Sequence, residues 1–201
     1  MPLLILYVAA VGTGFIYRGS LTFLAVHFER ELGIDLFGWE KDAIAGATAS
    51  LALLMAVLGL VSGGWLSDRI PGERAILPYA LVTPLFLVAM WGFDGVVLLV
   101  AAAGFAVCSW AQQPIMNSLI TDYAPAGAVG RSFGVWFTLV FGVGSLASTF
   151  TGLISERWDT GATFLAMAMC GVVVAGLLLV LERGAELRRD RTVRALGELY
   201  E

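Results

Sequence analysis

The chain has 201 residues, 59% hydrophobic and only 14% charged, with a formal net charge of −4. A soluble domain of this length carries charge on roughly a quarter of its residues, so the mean hydropathy of +0.85 excludes a soluble globular protein and points to one embedded in a lipid bilayer. The acidic balance and the lack of any basic stripe exclude nucleic acid as a partner. Cys108 and Cys170 both fall inside apolar runs, where free thiols behave as small hydrophobes. No Cys/His spacing forms a ligand set, so no metal, cofactor or disulfide is expected.

A bilayer crossing needs about 20 predominantly apolar residues, and six segments qualify: approximately 3–28, 43–66, 75–93, 96–121, 133–155 and 162–181. The start of the chain lacks the charged region and small-residue cleavage site of a signal peptide, so the first run reads as a retained span. Arg18 is its sixteenth residue, about 24 Å along a helix rising 1.5 Å per residue. An ionisable group at that depth is a functional candidate by default. Tyr7, Gly14 and Thr22 share its face and make a wet cavity the natural expectation there. Arg18 then binds either an anionic group of a substrate or carbonyls and polar side chains of a neighbouring helix.

The second span closes on the hydrophilic stretch Gly64-Trp65-Leu66-Ser67-Asp68-Arg69-Ile70-Pro71-Gly72-Glu73-Arg74. The third contains Pro78 and Pro84, tolerable in a span when neighbours satisfy the freed carbonyls. After the tight Asp94-Gly95 turn, the fourth carries Ser109, Gln112, Gln113 and Asn117, with Trp110 and Pro114 among them. Buried amides need partners, so this stripe faces either a substrate cavity or a packing network inside the bundle. The fifth has a milder stripe at Thr138, Gly142, Ser145 and Thr149. Small residues four apart (Gly59 and Gly63, Gly130 and Gly134, Gly144 and Ser148) are expected to let helices approach closely. Beyond the sixth span, the charged tail 182–201 reads either as an amphipathic helix on the membrane surface or as a solvated end. His27 has no suitably set serine near it, so a membrane protease, and an enzyme in general, is not expected. No Asp or Glu lies well inside a span, so this chain offers no intramembrane carboxylate as a proton carrier.

Orientation follows from the basic residues. With the N-terminus inside, eight arginines (Arg69, Arg74, Arg131, Arg183, Arg188, Arg189, Arg191, Arg194) face the cytoplasm and three basic residues (Arg30, Lys41, Arg157) face out. Both termini are therefore expected in the cytoplasm, in a prokaryotic cell membrane.

Gly64-x-Leu66-Ser67-Asp68-Arg69-x-x-Gly72-x-Arg74 resembles the signature loop of the major facilitator superfamily, departing from it at the inserted Pro71 and at Glu73, which stands where a basic residue is usual. Pro125 to Gly134 is similar to the family's link between the fourth and fifth helices of a half. The first span, with Phe15-Ile16-Tyr17-Arg18-Gly19, looks like the seventh helix of a full transporter. The resemblance spans the chain and implies an all-α membrane fold: helices seven to twelve of a transporter, built as two inverted three-helix repeats. An echo fits this. The pattern Gly64 to Arg69 recurs 88 residues later as Gly152-Leu153-Ile154-Ser155-Glu156-Arg157.

The resemblance implies one half of a secondary transporter that moves a small organic solute by alternating access. Its partners are the lipid bilayer, the solute and a second six-helix half, supplied by another chain or a homodimer mate. The expected cavity residues are Arg18, Tyr7, Thr22, Ser109, Gln112, Gln113, Asn117 and Ser145. The expected cytoplasmic gate is Gly64, Asp68, Arg69, Gly72, Arg74 and Arg131, with Arg131 pairing to Asp68 or Asp122. A six-span channel or a non-transporting membrane scaffold is the alternative.

Overall fold

The computed structural model describes residues 2–31 and 41–197. Residues 32–40 of the first loop and 198–201 of the tail lie outside the described residues. Every described segment of regular structure is helical, as a bilayer demands: with no water to satisfy the backbone, a single-chain span must pair its own N–H and C=O groups. Among the described residues six helices are long and apolar enough to cross a membrane: Pro2–Glu31, Ala43–Ser67, Gly72–Gly92, Gly95–Tyr123, Val129–Arg157 and Thr160–Arg189.

Their packing repeats. The second helix lies on the fourth as the fifth lies on the first. The third lies on the fourth as the sixth lies on the first, and the third and sixth pack on each other. These pairings interchange when helices one to three are mapped onto four to six, the arrangement of a duplicated three-helix unit. Backbone irregularities obey the same mapping. The second helix breaks at Met55, where Met55 N–H reaches back three residues to Ala52 O at 3.2 Å. The fifth widens into a π-helical stretch, Thr138–Val143. The 88-residue offset of the sequence echo carries Met55 onto Val143, the end of that stretch.

Close approach explains two sets of glycines. A Cβ on Gly59 would strike the carbonyl oxygen of Val107, and one on Gly63 that of Ala111. The second helix therefore rests directly on the backbone of the fourth, the small-residue packing that lipid-embedded helices favour. A Cβ on Gly14 would meet Val140 Cα at 3.0 Å, and Gly144 closes the same junction from the fifth helix. Gly130 and Gly134 correct the expectation: nothing lies within 4 Å of either added Cβ, because both sit at the exposed start of the fifth helix.

The core runs through the middle of the bundle, with Leu6, Ile76, Leu87, Leu98, Ile115, Leu119, Phe164, Met167 and Leu178 fully enclosed. Leu54, Val61, Val172 and Val173 cover the outer faces, which suits contact with lipid. At one end His27, buried, ties three helices: its Nε2–H donates to Met90 O at 2.8 Å, and its Nδ1 shares a hydrogen bond with the Thr160 hydroxyl at 3.2 Å. Since a carbonyl only accepts, the Met90 contact requires a proton on Nε2. Beside it Asp159 caps the sixth helix, its Oδ1 accepting from Ala162 N–H at 2.6 Å.

The described part of the tail is not a separate helix. The sixth helix continues unbroken from Thr160 to Gly197, through a run of good helix formers (Glu182, Ala185, Glu186, Leu187, Arg188, Arg189). Its extension packs back onto the start of the third helix through the ion pairs described below.

Candidate functional site

A cavity of about 170 Å³ lies between the first, fourth and fifth helices. The first helix supplies Ala10, Thr13, Gly14 and Tyr17; the fourth Ser109, Trp110, Gln112, Gln113 and Met116; the fifth Trp136, Val140 and Phe141. Local sequence explains the opening. The π-helical stretch contains both Val140 and Phe141, and such wide turns concentrate at functional places in helices. In the fourth helix, Pro114 has no N–H to bond the carbonyl one turn back, so the ladder beside Trp110 is one bond short. Irregular backbone at membrane depth is tolerated where it lines a cavity or is buried in protein, and both features lie at this site.

The polar side chains are partly committed. Gln112 is buried, and its Nε2–H₂ donates to Thr83 Oγ1 at 3.1 Å and to Cys108 O at 3.2 Å. Its Oε1 remains the acceptor. Tyr17 meets Trp110 edge to face, ring centroids 5.5 Å apart at 89°, the arrangement the aromatic quadrupole favours. The indole Nε1–H groups of Trp110 and Trp136 are buried without a hydrogen-bond partner.

Three of the eight expected cavity residues (Ser109, Gln112, Gln113) line this space, and five lie elsewhere. Arg18 is exposed and forms no ion pair among the described residues. Thr22 donates to Arg18 O at 2.8 Å and so accepts from Ser148 Oγ at 3.0 Å, a tie between the first and fifth helices. Tyr7 donates to Ser132 O at 3.3 Å and joins the same two helices at their other end. Ser145 is exposed and bonds its own helix at Gly142 O, 2.7 Å away. Asn117 is half-buried with Oδ1 unpartnered, and it does not line the cavity. Tyr17 and Trp136 were not singled out from sequence. An aromatic residue in an apolar span gives no signal of its own; only the packing of three helices around one space selects these two.

At the end of the bundle carrying the signature loop, the expected gate residues divide. Gly72 is buried, and an added Cβ there would sit 2.8 Å from Leu119 Cδ2, so its smallness serves packing on the fourth helix. Gly64 faces open space. Arg69 lies over the Trp65 ring at 3.7 Å and bonds Trp65 O at 3.4 Å. Arg74 is engaged by the sixth helix, with Glu182 at 3.4 Å and with Glu186. Asp68 and Arg131 are exposed, and the expected pairing of Arg131 with Asp68 or Asp122 does not form among the described residues. Of the acids that do pair, Glu182 and Glu186 lie on the sixth helix and Glu73 at the start of the third. Glu73 lies at the centre of the second cluster: buried, it accepts from Tyr123 Oη at 2.5 Å and pairs with Arg189 at 3.5 Å. The departure from the family pattern at this position is thus the group that joins the third, fourth and sixth helices. Among the described residues no group of His, Cys, Asp and Glu is placed to hold a metal ion.

Comparison with known proteins bears on the whole chain. The family model described as Major Facilitator Superfamily matches residues 3–199. Among solved structures, the E. coli fucose:proton symporter FucP superposes with a TM-score of 0.77 at 15% identity, covering 90% of this chain and 43% of that one. A peptide transporter POT in complex with sulfate gives 0.77 at 18% identity, covering 99% and 44%. The POT family transporter PepTSo gives 0.76 at 15% identity, covering 89% and 37%. The chain thus spans less than half the length of each, and at these identities the likeness is one of fold. A search of curated proteins returned no match. Six membrane-competent helices in a repeated three-helix arrangement, matched by a family model from one end of the chain to the other, lead to one conclusion: this chain belongs to the major facilitator superfamily.

Proposed function

We propose that the chain is one six-helix half, the C-terminal type, of a secondary transporter moving a small organic solute by alternating access. The observation that carries this reading is the combination of a family match over residues 3–199 with a fit to 43–44% of the solved transporters FucP and POT. The complement is a second six-helix half on another chain or a homodimer mate. In that assembly the cavity at Ser109, Gln112 and Gln113 opens toward the solute path, and the two halves rock about it.

The Arg and Lys distribution supports both termini facing the cytoplasm, with the Gly64–Arg74 loop on that side. Asp68 and Arg131 have no ion pair within this half among the described residues. They are therefore available to latch onto the second half in one end state, whereas Arg74 holds the tail of its own half.

The test is uptake into vesicles. Co-reconstituted with a complementary six-helix half, the chain should support saturable accumulation across a solute panel, with Asp68→Asn slowing turnover. The chain forming a conducting pore by itself favours the channel reading. Stable expression as a monomer that never associates with a second half and never transports favours the scaffold.

A further inference from the structure

The cavity between the first, fourth and fifth helices is lined by no charged side chain. Resting on the transporter reading above, we infer that this half holds the uncharged, flat, mostly apolar part of the transported solute, and that any charge on the solute is met elsewhere in the assembled protein. Tyr17, Trp110 and Trp136 supply aromatic walls, the first two fixed edge to face. The free amide and hydroxyl groups sit on the fourth helix. Gln112 offers Oε1, because its Nε2 is committed to Thr83 and Cys108. The side chains of Ser109 and Gln113 make no hydrogen bond among the described residues and line the same space. These side chains recognise an amide, hydroxyl or carbonyl on a planar body. An ionised group brought among them would be isolated in a medium of low dielectric, with no opposite charge to meet it.

Two further observations point the same way. The unpartnered indole N–H groups belong to Trp110 and Trp136, both lining residues. Buried donors need partners, and an acceptor carried by a bound solute, reached by a small ring rotation, would satisfy them. Size agrees too: about 170 Å³ is less than the roughly 300–1,000 Å³ of complete small-molecule sites, and suits one ring-sized portion of a larger solute. Arg18, the residue that would suggest an anion, lies exposed and outside the lining.

The experiment uses the full chain in uncharged detergent micelles and four probes: benzamide, benzoate, benzamidinium and cyclohexanecarboxamide. Binding is read by ligand-observed NMR, with tryptophan fluorescence as a second signal. Benzamide should bind at about the millimolar level expected of so small a molecule, about tenfold more tightly than either charged analogue and several-fold more tightly than the saturated amide. Gln113→Ala should weaken benzamide about tenfold relative to wild type at unchanged melting temperature, which separates lost binding from lost folding. Arg18→Ala should leave benzamide binding as it is. Preference for benzoate, lost in Arg18→Ala, overturns the inference. So does equal binding of all four probes, the behaviour of a greasy slot open to detergent or an acyl chain, and so does no binding to a chain that melts cooperatively. These readings need neither transport nor a second half. Their failure leaves the transporter reading standing, and failed uptake with intact benzamide selectivity overturns that reading alone.

Discussion

The third and fifth helices occupy similar places in a chain of alternating spans, yet the bundle treats them in opposite ways. Of the third helix's apolar window 39% is buried, but only 17% of the fifth's, the lowest value of the six. The third is gripped from both sides by the fourth and sixth and is bonded at both ends, through Met90 O to His27 and through Glu73 to Tyr123 and Arg189. The fifth touches the first through Gly14 and Gly144, widens into a π-helical stretch, and presents Val135, Phe137, Phe141, Leu146 and Phe150 outward. One side of this half is a finished core. The other is an open flank whose irregular backbone lines a cavity. Packing density thus separates a well-buried scaffold from a flank of low local burial, the kind of region where local opening costs least.

Substitutions can break or sharpen that contrast, beginning on the tightly packed side. Gly63→Leu must push the second helix off Ala111 O, an overpacking that costs about 3 kcal/mol. Gly64→Leu, one residue on and facing open space, should be near neutral. Melting of the two variants in detergent decides whether backbone contact holds the second helix in place, and equal melting temperatures would refute it. His27→Ala removes both hydrogen bonds of the three-helix tie and leaves Met90 O buried beside a void, a loss of about 2 kcal/mol. An unchanged unfolding midpoint would mean the tie is ornamental.

Smaller effects belong to the loop end and the open flank. Glu73→Gln keeps an acceptor for Tyr123 but loses the ion pair with Arg189, half of whose side chain is exposed. The cost should be below about 1 kcal/mol and should shrink further in high salt, where exposed pairs are screened. A loss that persists at high salt would place the contribution in the Tyr123 hydrogen bond instead. Phe141→Ala, on the half-exposed cavity wall, should change stability by no more than about 0.5 kcal/mol while weakening benzamide binding. The opposite pattern, lost stability with binding intact, would make Phe141 part of the core.

Much of the architecture was legible in the linear chain because a bilayer imposes few alternatives. Runs of apolar residues near the spanning length must be helices, and the Gly64–Arg74 motif with its 88-residue echo placed them in a duplicated, family-specific order. Site residues were harder. Of the polar stripe of the fourth span, Ser109, Gln112 and Gln113 line the cavity and Asn117 does not. In the first span Arg18 is the most conspicuous residue, but helical periodicity says only which residues share a face, not which neighbour that face meets. Its neighbour Tyr17, about 100° around the helix, is the one turned to the cavity. Glu73 is a different case. From sequence it was only a departure from the motif, standing where a basic residue is usual, yet it is the buried acceptor on which Tyr123 and Arg189 converge.

By itself, the sequence determined the solvent, the number of crossings, the all-helical fold and the family, because hydropathy and a local motif are properties of contiguous residues. Tertiary structure alone decided that the cavity is aromatic and uncharged, that the tail is a continuation of the sixth helix held by Arg74 and Glu73, and that the fifth helix is the open flank. Each of these depends on which faces of separate helices meet. That is set by contacts such as Gly63 on Ala111 and Gly14 on Val140, between residues dozens of positions apart, where local pattern carries no information.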